Sequence, residues 1–105
     1  MSREARVAKN EVLFREVNER IRELAPADGR TEFLCECGDA ACVEPVTLSL
    51  GQYETVRTDG ARFFVRPGHE LPDIEEVVER SESFSIVVKR DGTPADIAED
   101  NDPRS

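Results

Sequence analysis

The chain of 105 residues is long enough for one domain, and its charge limits the partners that this domain can bind. Charged residues make up 35% of the chain and the net charge is −9, with −5 in segment 31–60 and −4 in segment 91–105. Nucleic acids and anionic membranes attract clustered Lys and Arg, so this acidity argues against both and suits a protein partner. No apolar run approaches the roughly 18 residues of a membrane span and no signal-peptide pattern is present, which predicts a cytoplasmic protein with reduced thiols.

The first predicted element is an amphipathic helix over residues 7–25. Its apolar residues recur at helical spacing and fall within an arc of about 120°. Such a face is typical of a helix that packs on a core, and a helix that binds a groove is the alternative. Pro26, Asp28 and Gly29 end the helix. The predicted apolar face consists of Val7, Leu13, Phe14, Val17, Ile21, Leu24 and Ala25.

A segment that contains all the cysteines of the chain follows. Cys35, Cys37 and Cys42 form a C-x-C-x4-C pattern between a short approach over residues 31–34 and β-forming residues over 43–48. Gly38 permits the positive φ that a tight metal-binding turn commonly needs. The pattern predicts a zinc knuckle between two strands.

A short second helix is predicted over residues 50–58. Ser49 precedes Gln52 by three residues, which is the spacing of a capping box. A strand over residues 62–66 comes next, and a Pro-Gly turn then leads directly into His69.

The last predicted element is a C-terminal hairpin. Residues 77–80 and 84–89 are rich in Val and flank a polar Ser-Glu-Ser segment, although residues 74–80 also fit helical spacing. We favour the hairpin, with a helical turn near residues 72–76. The sequence therefore predicts an α+β fold with a small antiparallel sheet in a single domain over residues 1–90. Residues 91–105 are predicted to form an acidic flexible tail.

One zinc site accounts for every cysteine and histidine of the chain. Zinc prefers thiolate and imidazole ligands, and structural zinc sites close a tetrahedron of four protein ligands. Cys35, Cys37 and Cys42 supply three ligands, and His69 is the only candidate for the fourth. Cys35 and Cys37 share one face of an extended segment, so they can chelate one ion if the intervening Glu36 arches outward. We expect Glu36, Asp39 or Glu70 to accept a hydrogen bond from the imidazole.

Two alternatives to structural zinc remain open. Free buried thiols are common, because Cys behaves as a small apolar residue. Three-Cys-one-His ligation with a leading C-x-C also resembles the CDGSH class of [2Fe–2S] proteins, which makes an iron–sulfur cluster the second candidate cofactor. The chain lacks the Cys-Asp-Gly segment of that class, so its ligand assignment is not transferred.

The spacing of these motifs resembles a family of small uncharacterised proteins from GC-rich, actinobacteria-like bacteria. The resemblance covers roughly residues 10–90, and the family has no known activity. It rests on the C-x-C-x4-C knuckle of Cys35, Cys37 and Cys42, the Pro-Gly-His motif at His69, and the Val-Val hairpin that ends at Lys89.

The sequence predicts a non-enzymatic module that binds a protein or has a regulatory role. A closed ligand set leaves no position for a catalytic water, and no phosphate loop, nucleophile elbow or H-E-x-x-H motif is present. A thiol-based redox or metal sensor is the alternative, although Glu36 and Asp39 are expected to raise the thiol pKa values and slow oxidation. An enzyme of unrecognised type and nucleic-acid contact through Arg3, Arg6 and Lys9 are further alternatives.

Overall fold

The computed structural model describes residues 3–26, 29–39, 41–42, 44–90 and 98–99, and within them two helices and five strands. The fold is α+β, as predicted. In chain order the elements are α1 (Arg3–Leu24), β1 (Arg30–Leu34), β2 (Pro45–Ser49), α2 (Leu50–Arg57), β3 (Arg62–Val65), β4 (Glu75–Arg80) and β5 (Ser85–Lys89).

The strands form two antiparallel sheets. Strands β1 and β2 pair as a hairpin whose loop contains the cysteines, which confirms the predicted position of the knuckle between two strands. The other sheet has the order β3-β5-β4, so the predicted C-terminal hairpin forms and its second strand lies at the centre. A register shift between Val77 and Glu79 interrupts β4, and Val78 at this bulge is 45% exposed.

Helix α2 begins with the predicted capping box. The hydroxyl of Ser49 accepts a hydrogen bond from the backbone N–H of Gln52 at 3.1 Å, and the Gln52 side chain accepts one from the backbone N–H of Ser49 at 2.9 Å. These bonds satisfy two of the N–H groups that every helix start leaves without a partner. The helix therefore starts at a fixed point directly after β2.

Three aromatic rings lie at the centre of the core. Phe33 of β1 stacks on Tyr53 of α2 with ring centroids 4.5 Å apart, and Phe64 of β3 meets both rings edge-on at 5.9 Å. Because these rings come from β1, α2 and β3, they join the two sheets through α2. The buried apolar residues around them include Val46, Leu48, Val56, Phe63, Val65, Phe84, Ile86 and Val87.

Helix α1 packs on the domain with a different face from the one that its apolar residues predict. Leu13, Val17 and Leu24 are 58%, 38% and 88% exposed. Ile21 does pack against the core, and Phe14 is half-buried at the margin. The buried face is rotated by roughly 120° from the predicted one, at 100° per residue. It consists of Ala5, Ala8, Glu11, Arg15 and Asn18.

The polar residues of this buried face are tolerated because each has a partner in the domain. Arg15 donates to the carbonyls of Gly60 at 2.7 Å and Ala98 at 2.6 Å, and its guanidinium lies 4.9 Å from the Phe63 ring centroid. Asn18 bonds both backbone groups of Leu34, at 2.8 and 3.0 Å. The spacing of apolar residues carries no information about such partners. The helix face predicted from that spacing is therefore not the buried one.

Glu11 completes the polar contact between α1 and the three-stranded sheet. Its carboxyl contacts the ammonium of Lys89, which also lies 2.6 Å from Glu75, and all three side chains are buried. One cation cannot neutralise two buried carboxylates. Burial accordingly raises the pKa of Glu11 from its ordinary 4.5 to about 8, and it also raises the pKa of Glu75.

Most of the predicted acidic tail over residues 91–105 lies outside the described residues. Of that segment only Ala98 and Glu99 are described; Ala98 is buried and its carbonyl accepts the bond from Arg15. The predicted boundary at residue 90 stays a prediction. Within the described ranges, none of the helices is both long enough and apolar enough to cross a bilayer.

Candidate metal centre

Backbone hydrogen bonds fix the loop that contains the three cysteines. The N–H of Cys35 donates to the Glu44 carbonyl at 3.1 Å and extends the β1–β2 ladder by one bond. The N–H of Cys42 donates to the Asp39 carbonyl at 2.9 Å and closes a tight turn. Gly38 has the predicted positive φ, at +80°. The loop thus returns Cys42 towards Cys35 and Cys37.

His69 reaches the same place from the end of β3. The N–H of Glu36 donates to the Phe64 carbonyl at 3.0 Å, so the cysteine loop is attached to β3. After β3, the N–H of His69 donates to the Arg66 carbonyl at 3.0 Å across a turn in which Gly68 has a φ of +90°. This tight turn places the imidazole beside the thiols.

The four candidate ligands converge on one point. Nδ1 of His69 lies 3.6 Å from the sulfur of Cys35 and 3.7 Å from that of Cys42, and the ligand atoms of all four residues lie within 4.8 Å of one another. A tetrahedron with zinc–sulfur bonds near 2.3 Å and zinc–nitrogen bonds near 2.0 Å has edges of about 3.6–3.8 Å. The two nitrogen–sulfur distances match those edges, and the sulfur of Cys37 lies close enough to these atoms to be a fourth ligand of the same ion.

Backbone groups beside the sulfurs favour the thiolate forms. The N–H of Arg66 donates to the sulfur of Cys35 at 3.2 Å. An N–H that points at sulfur favours the thiolate, which is the form that binds a metal. The backbone of Asp39 contributes to the lowered pKa of Cys37, and the backbone of Glu44 partly opposes the effect of burial, which raises the pKa of Cys42.

The thiols do not lose their protons independently. A hydrogen bond from Cys35 is the main cause that lowers the pKa of Cys37 to about 5, and the same contact together with burial raises the pKa of Cys35. Burial raises the pKa of Cys42. The three thiols therefore lose one proton easily. The loss of further protons requires a cation among the sulfurs. A divalent ion that replaces the protons meets this requirement.

These pKa shifts correct the expectation that Glu36 and Asp39 raise the thiol pKa values. The expectation is wrong for Cys37, whose pKa is lowered, and Asp39 contributes to the lowering through its backbone N–H. For Cys35 and Cys42 the direction is as expected, but the main causes are the Cys37 contact and burial.

Glu36 points into the core and not outward as expected. Its side chain is fully buried and accepts hydrogen bonds from Arg57 at 2.5 Å, Asn18 at 2.8 Å and the N–H of Phe64 at 3.3 Å. Alternation along an extended segment does place Glu36 opposite the two thiols, but that opposite side is the protein interior. Arg57 lies 5.0 Å from the Tyr53 ring centroid, so the ion pair is enclosed by the core.

Sequence reasoning missed Asn18 and Arg57, which hold the knuckle through Glu36. Neither residue belongs to a motif, and polar residues on a helix are read as solvent-facing unless a buried partner is known. The one signal in the sequence is the acidic Glu36 between two candidate metal ligands, because a carboxylate must be solvated or paired.

The predicted carboxylate partner of the imidazole is not found within the part of the chain that is described. Glu36 is bonded to Arg57, and an Asp39 oxygen accepts from the N–H of Ala41 at 2.9 Å. Glu70 accepts from the N–H of Gly68 at 3.0 Å, and a bond from its own backbone N–H is the main cause that lowers its pKa. Glu70 therefore stabilises the turn that carries His69.

A cavity of about 380 Å³ opens beside the candidate centre. Cys37, His69, Asp39 and Glu70 are among the residues that line it. Arg3 also lines the cavity, but its guanidinium is paired with Asp73 at 2.6 Å. Of the four candidate ligands, Cys37 and His69 therefore face this cavity.

Comparisons of the chain with protein-family models, with curated proteins and with solved structures find no match. The resemblance to small actinobacteria-like proteins therefore stays a prediction, and the arguments on function rest on the geometry of the site.

Proposed function

We propose that the chain is a non-catalytic, zinc-stabilised module that binds another protein. The observation that carries the zinc part is the convergence of Cys35, Cys37, Cys42 and His69, whose ligand atoms lie within 4.8 Å of one another. Three sulfurs this close form disulfides in an oxidising environment, so the proposal includes a reducing compartment such as the cytoplasm.

The spread of the ligand atoms favours a single zinc ion over the iron–sulfur alternative. A [2Fe–2S] cluster places two irons between its ligand pairs and needs a wider separation than one ion does. The imidazole lies within 3.7 Å of the sulfurs of both Cys35 and Cys42, which fits a shared central ion. Thiolate and imidazole donors without a carboxylate are the set that structural zinc sites prefer.

A closed ligand set supports a structural role for the ion. Catalytic zinc has three protein ligands and an open position for water, whereas this site offers four protein ligands. Cys35 and Cys37 are buried, and the remaining two ligands are half-buried. The ion would join the cysteine loop to the turn after β3 and reinforce the bond from the N–H of Arg66 to Cys35 that already links them.

The protein-binding part of the proposal is supported by α1. Leu13 and Leu24 are more than half exposed on a helix that buries the polar residues Glu11, Arg15 and Asn18. Apolar residues on an outer helix face are a common feature of surfaces that bind proteins, and an acidic domain suits such a partner.

Substitutions at His69 test the zinc site. His69→Ala and His69→Asn should each weaken zinc affinity by a factor on the order of 100, because both remove one of four ligands. His69→Cys should retain most of the affinity, since it completes an all-thiolate site. Competition titrations with a chromophoric chelator give these affinities directly.

The matched control is Glu70→Ala, which loosens the same turn but keeps the imidazole. Its zinc affinity should stay near that of the wild type. Equal zinc affinities in the wild type and all three His69 variants would show that His69 is not a ligand. The site would then have an open position, and the argument against catalysis would no longer hold.

A further inference from the structure

The orientation of α1 costs free energy, because it buries charged and polar side chains and exposes apolar ones. Glu11, Arg15 and Asn18 are almost completely buried, and each buried charge must be compensated by a partner. The opposite arrangement, with the apolar residues inward, would avoid this cost. In the observed arrangement Leu13, Val17 and Leu24 are exposed to solvent. They form an apolar surface that another molecule can contact.

We propose that this outer face of α1 binds a second copy of the chain, with the two α1 helices packed antiparallel across a two-fold axis. The inference rests on the proposed protein-binding role and specifies the partner, but it does not depend on zinc. We call the face formed by Leu13, Val17, Arg20 and Leu24 the outer seam.

The outer seam has the spacing of a helix-pairing surface. Its residues follow one another at intervals of four, three and four, which keeps them in one line along a helix that packs against another. The half-buried Phe14 and Ile21 border the seam on one side and widen its apolar area. Leu13 of one copy then lies opposite Val17 of the other, and the symmetry repeats this contact.

Charges beside the seam favour the antiparallel arrangement. With Leu13 opposite Val17, the exposed Lys9 of one copy faces the exposed Glu23 of the other, and this pair also occurs twice. Glu16 lies near the two-fold axis, where Arg20 of its own helix, four residues on, offsets its charge. A parallel pair would instead place Arg20 against Arg20, which is unfavourable.

One helix face is smaller than the interface of a stable dimer, which buries about 1,200–2,000 Å² in total. Helix α1 has 22 residues and is therefore about 33 Å long, close to the 39 Å longest dimension of the molecule. The pairing should accordingly be weak, with a dissociation constant on the order of 100 µM.

Sedimentation velocity tests the proposal. The protein concentration should range from about 1 µM to about 1 mM, which covers the dissociation constants of weak dimers. The wild type should pass from monomer to dimer, and Leu13→Glu should remain monomeric. Val78→Glu is the matched control, because Val78 is also an exposed apolar residue but lies on β4. It should dimerise like the wild type. Zinc content measured on the same samples shows whether each variant has kept its metal centre.

A charge exchange tests the antiparallel register itself. Lys9→Glu and Glu23→Lys should each weaken self-association by about tenfold, because each creates two like-charge contacts at the seam. An equimolar mixture of the two variants should restore wild-type affinity, since both contacts then join opposite charges. A wild type that stays monomeric and zinc-loaded at all concentrations overturns the self-association and leaves the zinc module intact. A dimer whose charge variants do not rescue one another overturns the proposed arrangement.

Discussion

Two glycines of the candidate centre share a backbone conformation but differ in their surroundings. Gly38 and Gly68 both have positive φ, at +80° and +90°. A Cβ on Gly68 would meet open space, whereas one on Gly38 would lie 2.5 Å from the Val7 side chain and 3.0 Å from the Val7 carbonyl. Gly38 therefore also permits the close approach of α1 to the cysteine loop.

This difference predicts that Gly38→Ala is the more damaging of the two substitutions. Gly68→Ala should cost about 1–2 kcal/mol from backbone conformation only. Gly38→Ala adds a clash with α1 and should cost about 2–5 kcal/mol in total. Urea unfolding of both variants measures the free energies of unfolding. Equal losses would show that α1 does not pack against the loop as described.

The candidate ligands are predictable from the sequence, but the supports around them are not. Zinc chemistry restricts ligands to a few residue types, and this chain has only three cysteines and one histidine, so Cys35, Cys37, Cys42 and His69 follow from a count. The inward direction of Glu36 depends on Arg57 and Asn18, which are distant in sequence. No local pattern contains that information.

At the scale of elements, the predictions that rest on local chemistry are confirmed. The capping box places the start of α2, and two Val-rich segments on either side of a polar Ser-Glu-Ser turn give the hairpin of β4 and β5. The predicted packing face of α1 is wrong, because contacts with residues distant in sequence decide which face of the helix is buried. Lys89, which lies against Glu11, is 78 positions further along the chain.

The contact of Glu11 with the sheet predicts a pH dependence of stability. Its folded pKa of about 8 exceeds the ordinary 4.5, so between these values the folded state holds a proton that the unfolded state has lost. The stabilisation is complete below about pH 4.5 and is lost as the pH rises through 8. The free energy of unfolding should therefore fall by about 1 kcal/mol per pH unit over this range.

Glu11→Gln should remove this part of the pH dependence, because an amide does not titrate. The measurement is urea unfolding from pH 5 to pH 8.5, and the quantity is the difference between wild type and variant. Taking the difference cancels the pH dependence of metal binding, which acts in the opposite direction. Glu16→Gln on the exposed side of the same helix is the control. Parallel curves for wild type and Glu11→Gln would show that Glu11 does not hold a proton in the folded state.

At the scale of the whole molecule, two small sheets and two helices enclose a small core whose aromatic residues, among those described, are Phe33, Tyr53, Phe63, Phe64 and Phe84. A domain of this size buries about two-thirds of its surface, and its stability margin is correspondingly narrow. The candidate centre lies where the β1–β2 hairpin meets the turn after β3. An ion there would link the β1–β2 hairpin to the turn after β3, and its binding free energy would add to that of folding.

Native mass spectrometry with elemental analysis, on protein purified without added metal, tests the central claim most directly. We expect one zinc ion per chain. We also expect Cys35→Ser, Cys37→Ser and Cys42→Ser each to lower both the zinc content and the unfolding midpoint. A folded wild-type chain with three free thiols and no metal would contradict the site. Two irons per chain would contradict the choice of zinc.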